Sequence, residues 1–150
     1  MRIFVCLKLI TFVGPAEYDR LGIWFRTGDI TGDGIADILV GADEVDAVGQ
    51  SVSQNQGAAF VIRGGPHLLD APDVVDLAEF GQPTFPASLK GHVAWIDPPP
   101  GSSDYHFGAT VQVGDLDGNG RAEIMVAATL NRAGAGVDLP GAPGGQSLWG

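Results

Sequence analysis

Apolar residues along the chain gather in short runs of about five to eight, bounded by glycine, proline or acidic residues, a spacing that fits strands better than helices. Leu9 to Gly14, Leu21 to Gly28, Ala36 to Ala42 and Gly57 to Arg63 read as the first four strands. Thr84 to Gly91, Phe107 to Gly114 and Ala122 to Ala128 read as three more. Turn signals frame them, such as Asn55-Gln56-Gly57 and Gly64-Gly65-Pro66. Between the fourth and fifth runs lies an insertion, Pro66 to Pro83, whose Leu68-Leu69 and Val74-Val75-Asp76-Leu77 suit a short helix or a strand. His92 to Tyr105, with Pro98-Pro99-Pro100-Gly101, reads as a loop, and the Gly- and Pro-rich tail from Asn131 loses strand periodicity. The expected fold class is all-β, and 23 glycines and 10 prolines agree with many turns.

Two of the turns are one nine-residue pattern written twice. Asp29-Ile-Thr-Gly-Asp33-Gly-Ile-Ala-Asp37 and Asp115-Leu-Asp117-Gly-Asn119-Gly-Arg-Ala-Glu123 place oxygen-bearing side chains at positions 1, 3, 5 and 9 and glycine at 6. Ca²⁺ takes about six to eight oxygen ligands, and alternating ligand with spacer lets a loop fold its oxygens around one point. The expected ligands of the first loop are Asp29, Thr31, Asp33 and Asp37, with the Ile35 carbonyl. Those of the second are Asp115, Asp117, Asn119 and Glu123, with the Arg121 carbonyl. Three carboxylates crowded in one loop repel each other when no cation sits among them. An EF-hand opens in the same way but ends on a bidentate Glu at position 12 between helices, where this chain has Val40 or Val126 inside strand-like runs. A bare acidic-glycine turn is the plain alternative, and duplication argues against it.

The duplication extends beyond the loops. Leu21-Gly22 and Phe107-Gly108 stand at the same offset before their loops, and the copies lie 86 residues apart. Upstream, Phe12-Val13-Gly14 parallels Leu89-Lys90-Gly91. With Phe107-Gly108, the acidic loop and Gly41-Ala42-Asp43, which approximates a Gly-Ala-Pro signature, the chain resembles the FG-GAP repeat of integrin α-subunit propellers and related surface proteins. Leu21 in place of the first Phe, Asp43 in place of Pro, and Ala127-Ala128-Thr129 in place of Gly-Ala-Pro depart from it. The resemblance covers about residues 9 to 136. It implies four-stranded antiparallel β-propeller blades, with Ca²⁺ in the loop between the first two strands of each.

On that layout, residues 1–14 hold the closing strand of a preceding blade, 15–91 a complete blade with its insertion at 66–83, 92–136 a linker and half of the next blade, and 137–150 the tail. Propellers close with about four to eight blades. The expectation is therefore a fragment of a propeller, completed by further FG-GAP blades in a longer chain or by self-assembly.

The net charge of −10 argues against nucleic acid or an anionic membrane as partner, since phosphate needs a basic face. Six of the 18 acidic residues occupy proposed ligand positions, and two bound Ca²⁺ would bring −10 to −6. Asp43, Glu44 and Asp46 read as a solvated loop. Cys6 is the only cysteine and makes no internal disulfide. Met1 to Val13 has an early Arg and an apolar run, but Lys8 interrupts it and the register uses Leu9 to Gly14 as strand, which argues against a signal peptide. No run is long enough to span a membrane as a helix.

His67, His92 and His106 lack metal-ligand spacing and read as ordinary surface or hydrogen-bonded histidines. Trp24, expected on an inner strand, Trp95, near an exposed loop, and Trp149 read first as packing residues. Ser102-Ser103-Asp104-Tyr105-His106 holds a serine, an aspartate and a histidine, but adjacency is not triad geometry and no nucleophile elbow is present. No catalytic or organic-cofactor residues are assigned, and a binding protein rather than an enzyme is expected. The resemblance implies extracellular or cell-surface adhesion, with a protein or glycan ligand on the propeller loops. The alternative is the propeller accessory region of a secreted hydrolase of the phospholipase or polysaccharide-degrading type.

Overall fold

A computed structural model describes residues 8–46, 55–98 and 105–129. Eight strands and three 3-10 turns make up its regular structure, without an α-helix among the described residues. The strands are β1 (Thr11–Val13), β2 (Phe25–Gly28), β3 (Asp37–Ala42), β4 (Ala58–Ile62), β5 (Val74–Asp76), β6 (Val93–Ile96), β7 (Phe107–Gly114) and β8 (Glu123–Ala128). The 3-10 turns are Pro66–Asp70, Leu77–Glu79 and Ala87–Leu89.

The centre is an antiparallel sheet in the order β2-β3-β4-β6, one complete four-stranded blade. Gly28 pairs with Asp37 at the mouth of the first acidic loop, Val40 with Phe60, and Phe60 with Trp95. β7 and β8 form an antiparallel hairpin around the second loop, with Gly114 opposite Glu123. The hairpin repeats the β2-β3 arrangement and is the first half of a second blade. The fold is thus all-β, as the sequence pattern implies, and of propeller type, as the family resemblance implies.

Both faces of the central sheet are apolar because β3 and β4 carry continuous runs, Ile38 to Ala42 and Ala58 to Ile62. Leu39, Ala59 and Val61 face the second unit and pack with Val111, flanked by Phe107, Val113, Ile124 and Val126. Contact is close enough that a Cβ on Gly41 would overlap the Gly108 carbonyl oxygen. Gly108 itself has φ +94°, the left-handed region in which glycine is favoured. The opposite face, with Val40, Ala42, Ala58, Phe60 and Ile62, packs against Val75, Leu77, Phe85 and Leu89.

That second face corrects several expectations. The fourth strand is Val93–Ile96 and not Thr84 to Gly91, so the blade extends past residue 91. Thr84 to Gly91 instead contains a 3-10 turn, because Phe85 and Leu89, four residues apart, must turn toward the same apolar face. Both open readings of the insertion are realised, with Leu68-Leu69 in a 3-10 turn and Val74 to Asp76 in β5. Leu9 to Gly14 yields the short β1, whose partner is β5, parallel, with Phe12 opposite Val75. Leu21 to Trp24 is bent, and β2 begins only at Phe25. Trp24 therefore lies outside the strand, with Arg26 over its ring at 5.3 Å. Trp95 lies within β6 and meets Phe60 edge-on at 4.9 Å, a packing role. Asp43 is buried and pairs with Arg20 at 3.5 Å, while Glu44 accepts from the same guanidinium at 2.8 Å. Asp46 accepts the Asn55 N–H at 3.0 Å, so these three acids are tied in and not simply solvated. The tail at 137–150, Trp149 and Ser102-Ser103-Asp104 lie outside the described residues. No helix among the described residues is long and apolar enough to cross a membrane.

Candidate metal centres

Each acidic loop sits at the turn of a hairpin whose paired ends fix the separation of positions 1 and 9. In the second loop the Asp115 carboxylate caps the turn. One oxygen accepts the N–H groups of Gly118 at 2.8 Å and Asn119 at 3.0 Å, and the other accepts Gly120 N–H at 2.9 Å. Glu123, on the first residue of β8, reaches back to accept Leu116 N–H at 2.7 Å. Asp117 accepts from the Asn119 amide nitrogen at 2.9 Å and from its backbone N–H at 3.0 Å. Asn119 Oδ1 in turn accepts Arg121 N–H at 2.8 Å. The outcome is that one oxygen each from Asp115, Asp117 and Glu123 lies within 4.8 Å of the others.

The first loop copies this framework. Asp29 accepts Gly32 N–H at 2.7 Å, Asp33 N–H at 3.0 Å and Gly34 N–H at 2.8 Å. Asp37 is fully buried at the start of β3 and accepts Thr31 N–H at 2.9 Å and Gly64 N–H at 2.8 Å. Asp33 accepts Ile35 N–H at 2.9 Å and meets the Arg63 guanidinium at 3.3 Å. The Ile35 N–H chiefly, then the Thr31 hydroxyl and Arg63, hold the Asp33 carboxyl below its ordinary value against the opposing effect of burial. Thr31 stands where the second loop has Asp117, and its hydroxyl oxygen lies buried beside Asp33.

The residues fit a hard cation in chemistry. Their donors are oxygens, the second loop brings three carboxylates together, and the first adds a buried hydroxyl. In the second loop Asp115, Asp117 and Glu123 are gathered, while the Asn119 side chain is engaged with Asp117 and Arg121. In the first, Asp29, Asp33 and Asp37 are each drawn to backbone N–H groups, and Asp33 also to Arg63. The two loops touch: Ala122 N–H donates to the Asp29 carbonyl at 2.8 Å. A Cβ on Gly32 would sit 2.6 Å from Arg121 Cγ and 2.9 Å from its Nε. The Arg121 side chain therefore leaves its own loop and lies along the other.

Sequence reasoning did not single out Arg63. It follows β4 and lies 30 residues from Asp33, so only the pairing of β3 with β4 brings the two together. Nor did it find the histidine pair beside Arg63. The rings of His67 and His92 stack at 3.8 Å and 10°, with His67 Nε2 at 2.9 Å from the Arg63 carbonyl.

A protein-family model, the FG-GAP repeat, matches residues 21–62 and 107–137. The first match spans β2, the first acidic loop, β3 and β4; the second spans β7, the second loop and β8 and runs past the described residues. The insertion and β6 fall between the two matched segments. No curated protein matches the chain.

Proposed function

From the premise that this chain carries two FG-GAP repeats, the units of which propeller blades are built, we propose a non-catalytic, calcium-binding protein of integrin-like type. The observation that carries the metal is the gathering of Asp115, Asp117 and Glu123 at a hairpin turn. Repeats of this family are typical of extracellular and cell-surface proteins, and the proposed role is adhesion there, through a protein or glycan ligand on the propeller loops. Further blades complete the ring, in a longer chain or by self-assembly.

Bound Ca²⁺ supplies positive charge that lets like-charged carboxylates stand together. The chain's own residues do the rest. Asp115 and Asp29 hold their turns through three N–H groups each, which preforms the loop. Asp37 and Glu123 sit on the strands and tie the loop to the sheet. The proposed ligands are Asp29, Thr31, Asp33, Asp37 and the Ile35 carbonyl in one loop, and Asp115, Asp117, Asn119, Glu123 and the Arg121 carbonyl in the other.

A ligand that binds only the folded chain must raise its stability. Calorimetric titration of the chelator-treated protein is expected to give about two Ca²⁺ per chain and a higher melting temperature with the ion present. Absence of both would overturn the calcium reading.

A further inference from the structure

The two acidic loops share a framework but differ in the positive charge already beside them. In the first, the Arg63 guanidinium lies 3.3 Å from the Asp33 carboxylate, and the Arg121 side chain runs across Gly32. Thr31 replaces a carboxylate there, so the loop holds Asp29, Asp33 and Asp37 against one paired guanidinium and a second alongside. In the second loop three carboxylates converge within 4.8 Å, and among the described residues no ion pair involves any of them. Even the arginine that belongs to that loop by sequence is turned toward the other.

We infer that Arg63 is a built-in counter-ion of the first loop, which makes the two calcium sites unequal: the second fills first, and the first fills only against the like charge of Arg63. This inference rests on the calcium reading proposed above. A guanidinium that neutralises Asp33 stabilises the loop when no metal is bound. It also repels an incoming divalent cation that needs the same carboxylate, whether it stays in place or must swing away. Arg63 is held where it acts, because its backbone N–H donates to the His92 carbonyl at 2.8 Å and fixes the end of β4 against β6. Its side chain is partly exposed, so it can move aside. Arg121 adds a link between the sites, since its N–H belongs to the second loop and its side chain lies on the first.

The test follows the amide signals of Gly34 and Gly120, the position-6 glycines, by NMR as Ca²⁺ is added to the chelator-treated chain and to its Arg63→Gln variant. In the unsubstituted chain Gly120 is expected to respond at lower Ca²⁺ than Gly34. In the variant the Gly34 midpoint should fall by on the order of tenfold, the effect of removing one like charge beside a divalent ion near the surface, while Gly120 stays unchanged. Equal midpoints in the unsubstituted chain, or a Gly34 midpoint that Arg63→Gln leaves alone or raises, would overturn the inference and leave the calcium reading standing. If neither glycine responds in either protein, the calcium reading fails and takes this inference with it. An Arg63→Lys variant keeps the charge, and its Gly34 midpoint should stay near that of the unsubstituted chain. A shift as large as that of Arg63→Gln would mean that packing, and not charge, separates the sites.

Discussion

Asp37 is the residue where metal chemistry and folding chemistry meet. It is a proposed ligand, yet its two oxygens already accept Thr31 N–H and Gly64 N–H while the residue is fully buried. Asp37→Asn presents an amide N–H₂ to one of those donors and leaves a buried N–H unpaired. A loss of about 1–3 kcal/mol is expected even in excess chelator, measured by denaturant unfolding. Asp33→Ala should differ, because Asp33 is exposed at the loop tip: Gly34 should stop responding to Ca²⁺ while Gly120 still responds. His92 supplies a pH effect. Burial, then the facing His67 and Arg63, push its pKa below the ordinary 6.5, so the folded chain disfavours the imidazolium. The unfolded chain gains a proton first as pH falls through 6.5, so this contribution is intact above that value and is lost below it. Melting temperatures of the unsubstituted chain and of His92→Gln should therefore diverge with pH, the former falling more steeply from pH 6.5 downward. Parallel curves would refute this. The two acidic loops and the hairpin turns they occupy were legible in the sequence because most of their hydrogen bonds close within nine residues, as those of Asp29 and Asp115 do. Arg63 and the histidine pair were not, because strand pairing alone brings them together.

At the scale of elements, the insertion is part of the core. Leu77 is fully buried between the insertion and the central sheet, and Val75 and Leu89 are equally enclosed. Leu77→Ala is expected to cost about 2–5 kcal/mol, as a large-to-small change in a packed interior does. Met125, on β8 with 47% of its surface exposed, gives the contrast, and Met125→Ala should lie within about 0.5 kcal/mol of the parent. Equal effects at the two positions would mean that the insertion is not seated on the blade. Strands that flank the acidic loops were readable because the loop fixes where each begins, as with Asp37 at the head of β3 and Glu123 at the head of β8. β6 was hidden in a stretch that Pro98 to Gly101 made look like loop. Thr84 to Gly91 reads as a strand because Phe85 and Leu89 supply strand-like hydrophobicity to a segment that in fact turns. An apolar run states that a segment is buried, and only its partner decides in which conformation.

Across the whole molecule the two faces of the central blade have different fates. One takes the next blade, through Leu39, Ala59 and Val61 against Val111. The other, where a preceding blade of a ring would pack, is covered by β1, β5 and the three 3-10 turns. Phe25, 61% exposed, stands beside an apolar cleft lined by Phe12, Leu21, Ile38, Val40 and Ile62 where that cover thins. Stability should follow this layout. Amides of β3 and β4, paired on both sides and covered on both faces, open only when the whole chain unfolds, whereas a strand paired on one side opens locally. Among the described residues β8 pairs with β7 alone, and Met125, Ala127 and Ala128 are exposed. Native-state hydrogen exchange is therefore expected to rank β3 and β4 slowest and β8 fastest of these strands, with Ca²⁺ slowing β8 because Glu123 heads it. Exchange in β3 and β4 as fast as in β8 would mean that the insertion does not close the outer face, and the blade would then be free to take a neighbour on both sides.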